Sequence, residues 1–161
     1  MKLSIVIPAY NEQDNIAEVI EKIERSEHLE GVDYELLVVN DHSTDNTAGL
    51  IAQLSSKYHN VRLIENKLPK GFANAIKSGF ANFSGDAVVP VMGDLCDDLS
   101  TVGKMLAKIK EGYDVVCGSR YMKEGLRVGG SKAKAFLSCW GGRTLHYFLR
   151  LPTHDIANAF K

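Results

Sequence analysis

The sequence is short of the features that mark out several protein classes. Its three cysteines, Cys96, Cys117 and Cys139, are odd in number and widely spaced, and none forms a CxxC pair. That points to reduced thiols and away from a disulfide frame or a structural zinc site. No run of 18 apolar residues occurs, so this stretch of chain holds no transmembrane helix. The apolar part of "MKLSIVIPAYNE" is brief and is interrupted by Pro8, unlike a signal peptide. Repeats and low-complexity tracts are absent. Two phosphate-binding motifs are missing as well. Pro8, Tyr10 and Glu12 stand where a GxGxxG turn would need glycines, which disfavours a dinucleotide site. "KGFANAIKSG" contains Lys77-Ser78, but Ile76 precedes them where a P-loop requires glycine.

What is present suits one domain. The chain has 161 residues, 45% hydrophobic and 24% charged, enough for a core of ordinary composition. The net charge of −1 conceals an asymmetry. Residues 1–130 carry 14 Lys and Arg against 19 acids, whereas residues 131–161 carry five against one. The basic tail therefore suits an anionic partner.

Apolar runs alternate with amphipathic stretches. "LSIVI" (3–7), "YELLVV" (34–39), "VRLIE" (61–65), "DAVVPVM" (86–92) and "DVVCG" (114–118) read as five strands, the first ended by Pro8. Ile16, Val19, Ile20 and Ile23 keep helical spacing, as do Phe72, Ala75, Ile76, Gly79, Phe80 and Phe83. Asp45 reads as the cap of a helix carrying Ile51, Leu54 and Tyr58, and Ser100 as the cap of one carrying Val102, Met105, Leu106 and Ile109. Strands that are apolar throughout, with helices between them, predict a parallel sheet covered on both faces. Ligands of such sheets bind beyond the carboxyl ends of the strands. The loops there read "PAYNE" (8–12), "NDHSTD" (40–45), "GDLCDD" (93–98) and "GSRY" (118–121). Asp41 can accept hydrogen bonds from a base or ribose, Tyr10 offers a ring for stacking or packing, and Glu12 can take a ribose hydroxyl or hold its loop. Asp94, Asp97 and Asp98 crowd within five residues, which requires a compensating positive charge.

"SIVIPAYNE", "LLVVNDHSTDNT", "KGFANAIKSG", "VVPVMGDLCDD" and "DVVCGSRY", in this order, resemble the family 2 glycosyltransferases of the GT-A fold. "GSRY" and the later "D…NAFK" are similar to the dolichol-phosphate mannosyltransferase and polyprenyl-phosphate hexosyltransferase branch. The resemblance covers nearly the whole chain. It implies an α/β, Rossmann-like, mainly parallel sheet with helices on both faces, formed by residues 1–161 as a single catalytic domain cut short on its acceptor side. Residues 1–92 would be the nucleotide-binding half and residues 93–161 the metal and acceptor half.

The same resemblance implies a nucleotide-diphosphate sugar donor, GDP- or UDP-linked, contacted by Pro8, Ala9, Tyr10, Glu12, Asp41, Lys70, Gly71 and Asp94. It implies Mg²⁺ or Mn²⁺ on Asp94 with Asp97, where the ion and the diphosphate balance the crowded carboxylates. The family's Asp-x-Asp pair is altered here: Met92 takes the first position, and Met is a poor ligand for a hard cation. Asp98 reads as a residue of the following helix's first turn. Arg120 would meet phosphate with its planar fork, or pair with Asp94 or Asp98. Asp155, ahead of Phe160 and Lys161, falls on the acceptor side, so the catalytic candidates are Asp94, Arg120 and Asp155.

Residues 131–154 contain no acid. Leu137, Trp140, Thr144, Phe148 and Leu151 can share one helical stripe, which Gly141-Gly142 would weaken or kink. This suits either a helix lying on a membrane through residues 131–151 or a helix closing the sheet. The expected activity is inverting hexosyl transfer to a polyprenyl or dolichyl phosphate, at the cytoplasmic face of a membrane and without nucleic acid. Transfer to a hydroxyl acceptor, with Asp155 as base, and a weakly active nucleotide-sugar-binding module are the alternatives. A nucleotidyltransferase would show a Gly- and Arg-rich loop where "PAYNE" stands.

Overall fold

The computed structural model describes residues 1–93, 99–119, 132–150 and 155. Four parallel strands, β1 (Lys2–Ala9), β2 (Asp33–Asn40), β3 (Val61–Glu65) and β4 (Ala87–Pro90), form a sheet in the order β3-β2-β1-β4. Helices α1 (Ile16–Glu24), α2 (Thr47–Lys57) and α3 (Phe72–Phe80) are the crossovers between them. Helix α4 (Leu99–Lys110) follows β4, and α5 (Lys132–Leu149) comes last.

Alternation along the central strands divides the core into two layers. Leu3, Ile5, Ile7 and Ala9 of β1, with Leu36 and Val38 of β2, pack with α1, α2 and α4. Val6, Leu37 and Val39 face the other way, onto Ala75 of α3. Both sides of β1 and β2 are thus apolar, which is why their sequences read as unbroken hydrophobic runs. On the α3 side the backbones approach closely at Gly79, where an added Cβ would collide with the Val6 side chain.

Several local expectations are corrected. Pro8 lies inside β1, paired with Val39, and the strand continues to Ala9. The Val91 N–H donates to the Val6 carbonyl, so Val6, and Pro8 two residues on, direct their backbone groups towards β4. The β4 ladder stops at Pro90, so the N–H that Pro8 lacks is not needed. "DVVCG" (114–118) forms no strand; Val115 is 70% exposed. Strand propensity needs a partner edge to become a strand, and β4 is short, with a proline where its outward N–H would be. Ser100 sits inside the first turn of α4 and does not cap it. Helix α5 runs through Gly141 and Gly142, and Gly142 is buried.

The opposite end of the sheet from the strand termini that carry the polar loops is held by a buried carboxylate. Glu35, 3% exposed, accepts hydrogen bonds from the Ser4 hydroxyl (2.7 Å), the Ser84 N–H (2.6 Å) and Arg62 (2.8 Å). Lys2 Nζ lies 3.6 Å away. Burial alone would raise its pKa, but these donors outweigh burial and hold it down to about 2, from an ordinary 4.5. Such a difference corresponds to on the order of 3 kcal/mol of stability at neutral pH.

That stability is fully present above pH 4.5, the unfolded value, and is lost as the pH falls towards about 2, the folded value. Glu35→Gln should lower stability at pH 7 and flatten the pH dependence across that window. Denaturant titrations at several pH values would show it, and parallel curves for the two proteins would contradict it. Gly79→Ala should cost about 1–3 kcal/mol through overpacking against Val6, read as a lower denaturation midpoint.

Candidate functional site

The carboxyl ends of β1, β2 and β3 converge on one side chain. Asp41, directly after β2, is 5% exposed. Its backbone N–H donates to the Ala9 carbonyl (2.8 Å), joining it to the end of β1. Its Oδ1 accepts from Asn66 Nδ2 (2.6 Å), just past β3, and its Oδ2 from the Gly71 N–H (2.9 Å), at the start of α3. A carboxylate offers about four lone-pair sites. Two are used by described residues, which leaves capacity for a ligand's N–H or O–H.

The loops after β1 and β2 interlock. Asn11 Oδ1 accepts the Thr44 N–H (2.8 Å), Ser43 Oγ accepts the Asn11 N–H (3.1 Å), and Thr47 Oγ1 accepts the Glu12 N–H (2.8 Å). Asp45 is not the N-cap of α2, which is Asn46, but it holds the start of that helix from one residue earlier. Its Oδ1 takes the Thr47 N–H (3.0 Å) and hydroxyl (2.6 Å), and its Oδ2 reaches back to the Gln13 N–H (3.2 Å). Burial would raise its pKa, but the Thr47 and Gln13 donors hold it below the usual carboxylate value. Glu12 holds its loop: its carbonyl accepts the N–H groups of Asn15 and Ile16 at the start of α1, and its carboxylate accepts from Asn15 Nδ2 (3.0 Å).

Of the residues expected to meet a nucleoside, Pro8 and Ala9 end β1, with Ala9 buried. Tyr10 is exposed, and the Lys70 ammonium lies 3.4 Å from the centre of its ring, a cation–π contact. Gly71 has φ 151° and ψ 144°, a backbone region open essentially to glycine alone. The structure thus brings Ala9, Tyr10, Asp41, Lys70 and Gly71 together. Asp155 is buried, at 1% exposure. Asp94, Asp97, Asp98 and Arg120 lie outside the described residues. Gly93, immediately before Asp94, passes the end of β1: a Cβ built there would lie 3.4 Å from the Pro8 carbonyl oxygen. Among the described residues, no cluster of three His, Cys, Asp or Glu could hold a metal ion.

Sequence reasoning named Lys70 and Gly71 but missed Asn66, the head of the segment after β3, "NKLPKG" (66–71). Asn66 is buried and fully engaged. Its N–H donates to the Asn40 carbonyl (3.0 Å), and its Oδ1 accepts the Ser78 hydroxyl (2.7 Å) and the Leu68 N–H (3.0 Å). A polar residue directly after an apolar strand was the available signal. His42 was missed too. It adopts φ 59°, and its Nε2 lies 2.8 Å from the Leu68 carbonyl oxygen, to which it donates. A left-handed non-glycine residue costs roughly 1–2 kcal/mol, and an exposed hydrogen bond returns about 0.5–1.5 kcal/mol. The bond therefore about offsets the backbone cost and adds little net stability.

An apolar groove wraps the outer edge of β4 between α3 and α4, walled by Ile76, Phe80, Val88, Met105 and Ile109. It lies away from the polar loops and offers few groups that could recognise a nucleotide.

Comparison with known proteins places the chain in a family. The chain is 40% identical over 125 residues to the dolichol-phosphate mannosyltransferase of Pyrococcus furiosus, covering 78% of this chain and 35% of that protein. It is 38% identical over 117 residues to the undecaprenyl-phosphate 4-deoxy-4-formamido-L-arabinose transferase of an Enterobacter species, covering 71% of this chain and 36% of that one. The chain therefore spans about a third of the length of these relatives. Among solved structures, it resembles the glucosyl-3-phosphoglycerate synthase of Mycobacterium tuberculosis in complex with Mn²⁺, uridine diphosphate and glucosyl-3-phosphoglycerate. That match has a TM-score of 0.52 and 26% identity, over 67% of this chain and 39% of the other. Residues 4–159 match the family described as Glycosyl transferase family 2, so the chain, with its parallel sheet of the GT-A kind, belongs to the family 2 glycosyltransferases.

Proposed function

We propose that this chain binds a nucleotide-diphosphate sugar, GDP- or UDP-linked, and serves the inverting transfer of its hexosyl group to a polyprenyl or dolichyl phosphate. The observation that carries the reading is Asp41. A buried carboxylate gathers the ends of three strands and the start of α3, at the sheet edge where α/β proteins bind ligands. The names of the relatives, dolichol-phosphate and undecaprenyl-phosphate transferases, support the acceptor class. A lipid phosphate is already an anion at neutral pH, so attack needs no strong base. A hydroxyl acceptor would need one, and the buried Asp155 is the candidate for that second reading.

In this reading residues 1–92 hold the donor. Asp41 takes the base or ribose, Tyr10 and Lys70 flank it, and Pro8, Ala9, Glu12 and Gly71 shape the pocket. Residues 93–161 serve the diphosphate and the acceptor, with Asp94 and Asp97 as the candidate ligands of Mg²⁺ or Mn²⁺ and Arg120 for phosphate. With Met92 in place of a carboxylate, the ion would borrow diphosphate oxygens to complete its shell. When bound, it would neutralise charge on the leaving diphosphate.

Helix α5 supports a membrane contact. Phe136, Leu137, Trp140, Tyr147 and Phe148 are all exposed, whereas Gly142 is buried and Cys139 and His146 are half-buried. The small residues turn towards the protein and the aromatic stripe turns away from it, with Arg143 also exposed. That composition suits the interface of an anionic membrane, at its cytoplasmic face. No helix among the described residues is long and apolar enough to cross a membrane.

Calorimetry with UDP and GDP, with Mn²⁺ and with chelator, tests the donor site. The ion should raise nucleotide affinity and the nucleotide should raise ion affinity by the same factor. Identical nucleotide affinity with Mn²⁺ and with chelator would remove the metal. Asp41→Ala should abolish nucleotide binding. It should also destabilise the fold by roughly 1–3 kcal/mol for each donor left without its acceptor, because Asn66 and Gly71 both lose theirs. Unchanged affinity would exclude Asp41 from the site. For α5, sedimentation with vesicles should rise with anionic lipid content and fall with salt. Trp140→Ser with Phe148→Ser should reduce it; equal binding by the two proteins would count against the helix.

A further inference from the structure

We propose that His42 is a positioning residue for the nucleotide, resting on the donor-site reading of Asp41 above. The segment Asn66–Gly71 connects β3 to α3 and carries Lys70 over the Tyr10 ring. Asp41 holds this segment at its two ends, through Asn66 Nδ2 (2.6 Å) and the Gly71 N–H (2.9 Å). His42, the next residue along, holds its middle: Nε2 reaches the Leu68 carbonyl oxygen at 2.8 Å. Consecutive side chains of the loop after β2 thus fasten the segment at three points.

Because Leu68 O accepts a hydrogen bond, Nε2 must carry the proton, which leaves Nδ1 as the other ring nitrogen. The ring is exposed, and water could satisfy Leu68 O equally well. His42 nonetheless occupies a left-handed backbone conformation, φ 59°, that glycine adopts without cost. A strained residue kept for one exposed bond is explained if the bond acts on what the segment carries. Without it, the segment keeps the Leu68 N–H bond to Asn66 Oδ1 (3.0 Å) and the Asn74 Nδ2 bond to the Pro69 carbonyl (2.8 Å), but between the two Asp41 anchors it loses its tie to the loop after β2. Lys70 and the Tyr10 face would then be held less tightly, and ordering them further when the nucleotide arrives would cost affinity.

The test compares His42→Gly and His42→Asn with the unsubstituted chain. Glycine removes the side chain and relieves the backbone. Asparagine tolerates the left-handed conformation but is too short to reach Leu68 O. Each protein is titrated with UDP and with GDP by calorimetry and unfolded thermally. The tighter-binding nucleotide should lose about 3- to 10-fold in affinity in both variants, the scale of one hydrogen bond. The melting temperature of His42→Gly should stay level or rise. Unchanged affinity in both variants overturns the proposal. A parallel fall of affinity and melting temperature in both also overturns it and makes His42 a structural strut. If the unsubstituted chain binds neither nucleotide, the donor-site reading itself fails and takes this proposal with it.

Discussion

The arrangement of the polar loops depends on burying one carboxylate among donors. Asp41 is nearly inaccessible, so each of its oxygens must be satisfied within the protein or by a ligand. The partners it recruits come from the residues that follow β3 and open α3, and its own N–H closes on the end of β1. Three chain segments far apart in sequence are thereby fixed relative to one another. Tyr10 and Lys70 meet because both sit on segments that this residue ties down.

The two ends of the sheet do different work with similar chemistry. At one end Glu35 is paired with Arg62 and hydrogen-bonded by Ser4 and Ser84, a closed network that holds strands and loop together. At the other end the strand termini carry a left-handed Asn11, a left-handed His42 and a glycine-only conformation at Gly71. Strain collects in the polar loops at the strand ends, and the networks around the apolar sheet hold it in place.

Much of the fold was legible. β1 and β2 are apolar on both sides, and their runs announced a covered parallel sheet. The spacing of Ile16, Val19, Ile20 and Ile23 announced the buried face of α1. "DVVCG" misled, because propensity says nothing about whether a partner edge is available. The Gly141-Gly142 pair does not end α5, which runs through both residues. Asp41 was legible as a strand-end residue from its place after "LLVV". Its grip on Asn66 and Gly71 was not, since those contacts span 25 and 30 residues.

Residue types and their order specify the parallel α/β sheet, the strand ends where polar side chains collect, and membership of the family whose motifs they spell. Periodicity and composition are local properties, and they suffice for those conclusions. Which side chains meet is another matter. The His42–Leu68 bond, the Lys70–Tyr10 contact and the outward aromatic face of α5 follow from packing between segments that sequence order leaves distant. Hydrogen bonds and ring contacts act over a few ångströms, so only the folded chain decides which groups come within reach.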